Sequence, residues 1–149
     1  MKWVTHEIVT GVMVYAVTED LLLTTYSMAG AILPDKVEGN PYKTNYWQWR
    51  KRHRGWSHWA IGYAMLIGVI YYLKGMYPWL SELCTIGIYL CVGAICHIFE
   101  DAFCGKVPFI TPKHKVGIKI FTVGKNSEYI FCLCLIIAVY IIHAQFMIK

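Results

Sequence analysis

Three apolar runs dominate the last two thirds of the chain, separated by a short break at 74–82 and a long, lysine-rich segment at 100–128. Residues 129–148 carry no charge other than one that His143 could hold, and Lys149 follows where it can reach lipid headgroups. Residues 83–99 are uncharged apart from His97, residues 59–73 form the third run, and the amphipathic aromatics Tyr77 and Trp79 lie between these two. A helix needs about 20 mostly apolar residues to cross a hydrocarbon core of roughly 30 Å, and fewer where it is enclosed by other helices. The run at 129–148 meets that length and the other two approach it. In the first third, 8–17 is mostly apolar, Glu19 and Asp20 interrupt, and 21–33 is mostly apolar again. This pattern predicts a helical hairpin whose arms, about 15 to 20 Å long, are tilted, buried among other helices or only partly spanning. The chain therefore reads as a single all-α domain over 1–149, a polytopic membrane bundle of about five helices at 4–17, 21–33, 57–73, 82–100 and 128–148.

Composition agrees with a membrane solvent, since 57% of the residues are hydrophobic and only 15% charged, too apolar for an ordinary soluble domain. Glu7 stands where a secretory signal would be basic, and no small-residue cleavage pattern follows, which reads against a signal peptide. Cys84, Cys91, Cys96, Cys104, Cys132 and Cys134 contain no C-x-x-C pair, and five of them lie in apolar helical runs, so they read as small packing residues instead of a thiolate zinc site.

The net charge of +5 matters through its placement. Lys36, Lys43, Arg50, Lys51, Arg52 and Arg54 fall in one loop, and Lys106, Lys113, Lys115, Lys119 and Lys125 in another. The positive-inside rule places both loops in the cytoplasm, which gives a bundle with its amino end inside and its carboxyl end outside. The Glu19-Asp20 turn and the 74–81 loop then face outward. Tyr46, Trp47 and Trp49 beside Arg50, Lys51 and Arg52 form a basic aromatic anchor for membrane lipids. No nucleic-acid partner is expected.

On this topology seven side chains with metal-binding chemistry reach the inner face: His6, Asp35, His53, His58, His97, Asp101 and Glu128. Helices that alternate direction bring sequence-distant residues to one level only when these lie at alternate ends, as these do. His97 and Asp101 are four apart and share a helix face. They read either as two ligands of one ion or as a core histidine with its hydrogen-bonding partner. Imidazole with carboxylate suits Zn above all, with Mn and Fe as alternatives, and ionisable groups near a membrane are functional candidates by default. In His53-Arg54-Gly55-Trp56-Ser57-His58, a glycine allows a tight turn between two imidazoles, and Arg54 could pair with phosphate oxygens. Pro34 is expected to stop the second helix and present Asp35 beyond it, and Glu38 is a weaker ligand candidate. Thr5 is a candidate N-cap for the first helix, with Glu7 opposing its dipole. His114 and His143 lie away from the cluster. Gly105, Pro108 and Pro112 predict a structured turn that could cover the site, with lysines that either bind an anionic headgroup or are simply solvated.

Taken in order, Thr5-His6, Leu33-Pro34-Asp35, His53-Arg54-Gly55-Trp56-Ser57-His58, His97-x-x-x-Asp101, the turn from Gly105 to Pro108 and the late Ser127-Glu128 resemble the bacterial YdjM-like family of membrane-bound metal-dependent hydrolases. The resemblance runs over nearly the whole chain, and that family is distantly similar to zinc-dependent phospholipases C. It implies a multi-pass inner-membrane hydrolase with His6, Asp35, His53, His58, His97 and Asp101 as site residues. Trp59 after His58, where a small hydroxyl residue is usual, and Lys36-Val37-Glu38 after Asp35, where a more acidic stretch is usual, depart from the family pattern and leave one ion or two open.

These expectations give a mechanism in outline: hydrolysis of a phosphate ester on a lipid or lipid-linked headgroup at the inner leaflet. The metal activates water, Asp35 or Glu100 serves as general base, and Arg54 clamps the phosphate. The rival readings are a non-catalytic membrane metal-binding or regulatory protein, and cation transport. Transport fits least well, because the ionisable residues gather at one end of the bundle.

Overall fold

The computed structural model describes residues 1–39, 47 and 53–147. Of the aromatic anchor only Trp47 falls among them, and it is exposed; Lys43, Tyr46, Trp49, Arg50, Lys51 and Arg52 lie outside the described residues. The helices are α1 (Trp3–Thr18), α2 (Leu21–Gly30), the short α3 (Leu33–Glu38), α4 (Ala60–Met76), α5 (Ser81–Ala102) and α6 (Asn126–Met147). Their bounds follow the apolar pattern closely, with three differences.

The first difference concerns the amino-terminal cap. Lys2 occupies the N-cap of α1 with no side-chain bond, and Thr5 lies inside the helix, buried. The second is a break where one helix to residue 33 is expected. Helix α2 ends at Gly30, and Pro34 opens a new helix in place of ending the old one. Proline tolerates the first turn because an N–H there has no helical acceptor. Asp35 therefore sits in the first turn of α3. The third is a small antiparallel ladder, β1 (Val107–Pro108) with β2 (Lys115–Val116), in the loop expected to form a structured turn.

The hairpin of α1 and α2 forms because α1 ends in a left-handed residue, Glu19 at φ 52°, and Asp20 then caps α2 by accepting from the N–H groups of Leu22 (2.7 Å) and Leu23 (3.1 Å). Helix α1 packs on α2 and α6, while α5 lies between α2 and α4. Val9, Phe121 and Cys132 are among the buried core at the α1–α6 contact. Helix α4 buries none of its residues, and Met65, Val69, Tyr71 and Tyr72 point outward. An exterior that apolar suits lipid better than water. Helix α5 with its preceding turn, Pro78–Ala102, and α6 over Asn126–Gln145 are long and apolar enough to cross a bilayer, while Ala60–Met76 is shorter.

Helices α2 and α5 approach so closely that a Cβ on Gly93 would collide with the Ser27 carbonyl oxygen, and one on Gly30 with that of Leu90. Small residues at such a crossing let two backbones pack against each other. Gly93→Ala is accordingly expected to push α2 off α5 at a cost of about 1–3 kcal/mol. Because α3 and Asp35 follow directly from α2, the same variant should also bind metal more weakly. Thermal inactivation in detergent, together with metal content, checks both effects.

Candidate metal centre

Four elements converge on the histidines. The first turns of α1 supply His6, α3 supplies Asp35, a 3-10 turn (Trp56–His58) supplies His58, and the end of α5 supplies His97 and Asp101. All three imidazoles are fully buried, Asp101 is nearly so, and the Asp35 side chain keeps 22% of its surface exposed. Asp35 is thus the side of the cluster open to an incoming molecule.

The distances have the scale of a shared ligand set. His58 Nε2 lies 3.3 Å from His97 Nε2, 3.3 Å from Asp35 Oδ1 and 3.6 Å from Asp101 Oδ2. His97 Nε2 lies 3.7 Å from both Asp35 Oδ1 and Asp101 Oδ2. Two donors of one tetrahedral ion, each about 2.0–2.1 Å from it, sit about 3.3 Å apart. On the other side, His6 Nε2 is 3.4 Å from Asp101 Oδ1, and the His6 and His97 rings stack with centroids 3.8 Å apart. Among the described residues His97 belongs to both groups that could hold an ion, His6-His97-Asp101 and Asp35-His58-His97. His6 Nε2 is buried without a hydrogen-bond partner. A buried nitrogen left unpaired while aimed at a carboxylate is what a ligand looks like without its ion, and the nitrogen and oxygen donor set fits Zn, Mn or Fe.

The far nitrogens of two of these histidines are engaged, one by a carboxylate and the other by a hydroxyl with a carboxylate just beyond it. His6 Nδ1 is 2.5 Å from Glu100 Oε2, and the Thr10 hydroxyl donates to the other Glu100 oxygen at 3.1 Å. His58 Nδ1 is 2.9 Å from Ser57 Oγ and 3.5 Å from Glu38 Oε2. When Nδ1 donates its proton in this way, Nε2 presents a lone pair to the cluster, an arrangement typical of ligating histidines. Glu100 is buried with both oxygens engaged, so its surroundings suit orienting His6 better than taking a proton from water. Glu100→Ala is expected to weaken metal affinity about 10- to 100-fold while leaving the ligands in place. Competition with a chelator of known affinity would measure this.

Asp35 is likewise poorly suited to act as a base. Burial alone would raise its carboxyl, but His58, His97 and the Trp3 indole N–H, which donates to Oδ2 at 2.8 Å, hold it down to about 2. It is ionised at any physiological pH, as a ligand must be, whereas a general base works best near the operating pH.

Arg54 adopts a left-handed backbone (φ 54°) and turns its guanidinium onto the end of α5. Its NH1 donates to the Asp101 carbonyl at 3.4 Å and NH2 to Cys104 Sγ at 3.3 Å. Nε stands 2.9 Å from Asp101 Oδ2 but makes no hydrogen bond, so that contact is one of charge alone. Desolvation opposes the charged form of Arg54, and Asp101 together with Cys104 and Asp35 more than offsets it, raising the pKa.

Two of the sequence-derived candidates lie outside the cluster. His53 turns to Glu38 Oε1 at 3.1 Å, the same oxygen that accepts from the Arg54 N–H at 3.0 Å. Glu128 accepts from the backbone N–H groups of Lys2 (2.8 Å) and Gly124 (2.5 Å), which ties the start of α6 to the start of α1. Glu38, three residues beyond Asp35, bridges His53 and Arg54 and stands 3.5 Å from His58 Nδ1. Its signal was its place one turn beyond Asp35 on α3. As expected, His143 is remote, pairing with the Ala16 carbonyl at 2.9 Å.

Two of the helices, Pro78–Ala102 and Asn126–Gln145, are of membrane-crossing length and apolarity in a chain that is otherwise mostly helical. The chain belongs to the YdjM inner membrane protein family, whose model matches residues 1–149. No curated protein and no solved structure matches it.

Proposed function

We propose that this protein is a multi-pass, metal-dependent hydrolase of the bacterial inner membrane that cleaves a phosphate ester of a lipid or lipid-linked substrate at the inner leaflet. The observation that carries the reading is the cluster of three buried histidines and two aspartates, one of them open to the outside. A purely structural site closes every position with protein ligands, whereas a catalytic one keeps an accessible edge. The basic loops support an orientation with this end in the cytoplasm.

His6, Asp35, His58, His97 and Asp101 would hold one divalent ion, or two adjacent ones, with Zn favoured. Such an ion supplies Lewis-acid charge for the phosphoryl group and acidifies water. Glu100 and Glu38 fix the imidazoles, which limits reorganisation of the site during reaction. Arg54 contributes a permanent positive charge beside Asp101, which would favour an anionic phosphoryl group near the cluster.

The test is turnover of a panel of phospholipids and lipid-linked phosphates by the reconstituted protein. Release of product that stops with chelator and returns with added metal is the expected result. A metal-loaded preparation that turns over none of the panel would point to a non-catalytic metal-binding role instead.

A further inference from the structure

An apolar cleft of about 460 Å³ opens beside the cluster, between the start of α4, the end of α5 and the β1–β2 hairpin. Its walls include Ala60 and Ala64, Ile98 and Ala102, and Val107 and Ile118. The ligand positions border it along the chain. Ala60 is two residues beyond His58, Ile98 is next to His97, and Ala102 is next to Asp101.

The cleft is built into the fold. Ile118 N donates to the Ala102 carbonyl and Ile120 N to that of Phe103, both at 2.8 Å, so the segment after β2 is bonded to the end of α5. Trp59 Nε1 donates to the Ile110 carbonyl at 3.2 Å, and Lys115 Nζ to the His53 carbonyl at 2.9 Å, which fasten the hairpin to the segment carrying His53 and His58.

Charge and apolarity alternate around this wall. Lys106 precedes the wall residue Val107, and Lys119 follows Ile118; both lysines are exposed. Phe109, Ile110 and Ile120 are more than half exposed on the same segment. Exposed apolar side chains interleaved with lysines mark a surface that rests in the headgroup layer of an anionic membrane. A cleft with purely apolar walls has nothing to offer a phosphate, while the lysines beside it have nothing to offer a hydrocarbon chain. Both are satisfied by one molecule that carries both parts.

We infer that this cleft holds one hydrocarbon chain of an anionic membrane lipid, with Lys106 and Lys119 engaging its phosphate-bearing headgroup. If the neighbouring cluster acts on a membrane-borne phosphate ester, as proposed above, the cleft is the subsite that presents the lipid to it.

The experiment is native mass spectrometry of the full chain released from detergent with phosphatidylglycerol, phosphatidylcholine or free glycerol phosphate, with metal content measured in parallel. Phosphatidylglycerol should be retained at least about tenfold more than phosphatidylcholine, and free glycerol phosphate should not compete for it. Ala64→Trp, which fills the cleft, and the surface variant Lys106→Glu/Lys119→Glu should each cut that retention about tenfold without changing metal content. Should Ala64→Trp misfold, the lysine variant alone decides. Equal retention of the neutral lipid, competition by free glycerol phosphate, or unchanged binding in a folded variant would overturn the inference. Loss of lipid selectivity with metal and turnover intact sinks the cleft alone. Selective lipid retention by a chain that binds no metal sinks the hydrolase reading and leaves the cleft standing.

Discussion

Replacing His97 with alanine is expected to empty the metal centre while leaving the protein folded. His97 is the one residue common to both ligand groups, with Nε2 at 3.3 Å from His58 and 3.7 Å from each aspartate, and its ring stacks on His6. Losing an outer hydrogen-bonding partner of a ligand costs about 10- to 100-fold in affinity, so losing a ligand shared by the whole set should cost at least about 100-fold. The purified variant should therefore contain less than about a tenth of the wild-type metal, with its helical circular dichroism preserved. Unchanged metal in a folded His97→Ala protein would mean that the imidazole is only a core residue.

Asp101→Asn is the second large effect, and it acts on two quantities at once. The carboxylate faces Arg54 Nε at 2.9 Å and His6 Nε2 at 3.4 Å, inside a cluster with little access to water. Neutralising it removes a candidate ligand and leaves two cations without their counter-charge, Arg54 and the Met1 amino group, which lies 2.8 Å from Oδ1. Breaking a buried ion pair from one side costs about 3–5 kcal/mol, and the 14% exposure of the Arg54 side chain argues for the lower half of that range. Both metal content and thermal stability should fall. The two effects separate in the double variant Arg54→Met with Asp101→Asn, which should recover part of the stability by removing one of the two stranded cations but should not recover metal. A double variant as unstable as Asp101→Asn alone would show that the aspartate stabilises by other contacts.

The apolar runs make the long helices legible in sequence because a membrane-sized apolar segment has few other uses. The join at Ala31 and Ile32 is not legible in that way. Proline is compatible with both the end of one helix and the first turn of the next, and only the tertiary structure shows that Pro34 does the latter. The hairpin from Val107 to Val116 is too short for a period-two pattern and is held by its own ladder and turn and by the ties from Trp59 and Lys115.

Of the cluster, the pair His97 and Asp101 is visible from spacing alone, and His6, Asp35 and His58 from the alternation of helix ends. That reasoning fixes the level of a residue along the bundle but not the direction of its side chain. His53 and Glu128 lie at the right level and turn elsewhere, one to Glu38 and the other to the backbone at Lys2 and Gly124. The same gap hides the part played by Glu100. A position about 100° around the helix from Asp101 looks like a different face, yet it is where a carboxylate must stand to reach His6 Nδ1 while Asp101 faces Nε2.

Anomalous diffraction from crystals of the metal-loaded protein would show most directly whether five residues from four separate elements form one metal centre. An anomalous peak is expected about 2.0–2.2 Å from His97 Nε2. His58, Asp35, Asp101 and His6 should share it or a second peak beside it, and the Asp35 side should be open. A fully loaded protein whose anomalous signal lies elsewhere, at His114 or His143 for example, with no peak among these five side chains, would contradict a shared metal centre.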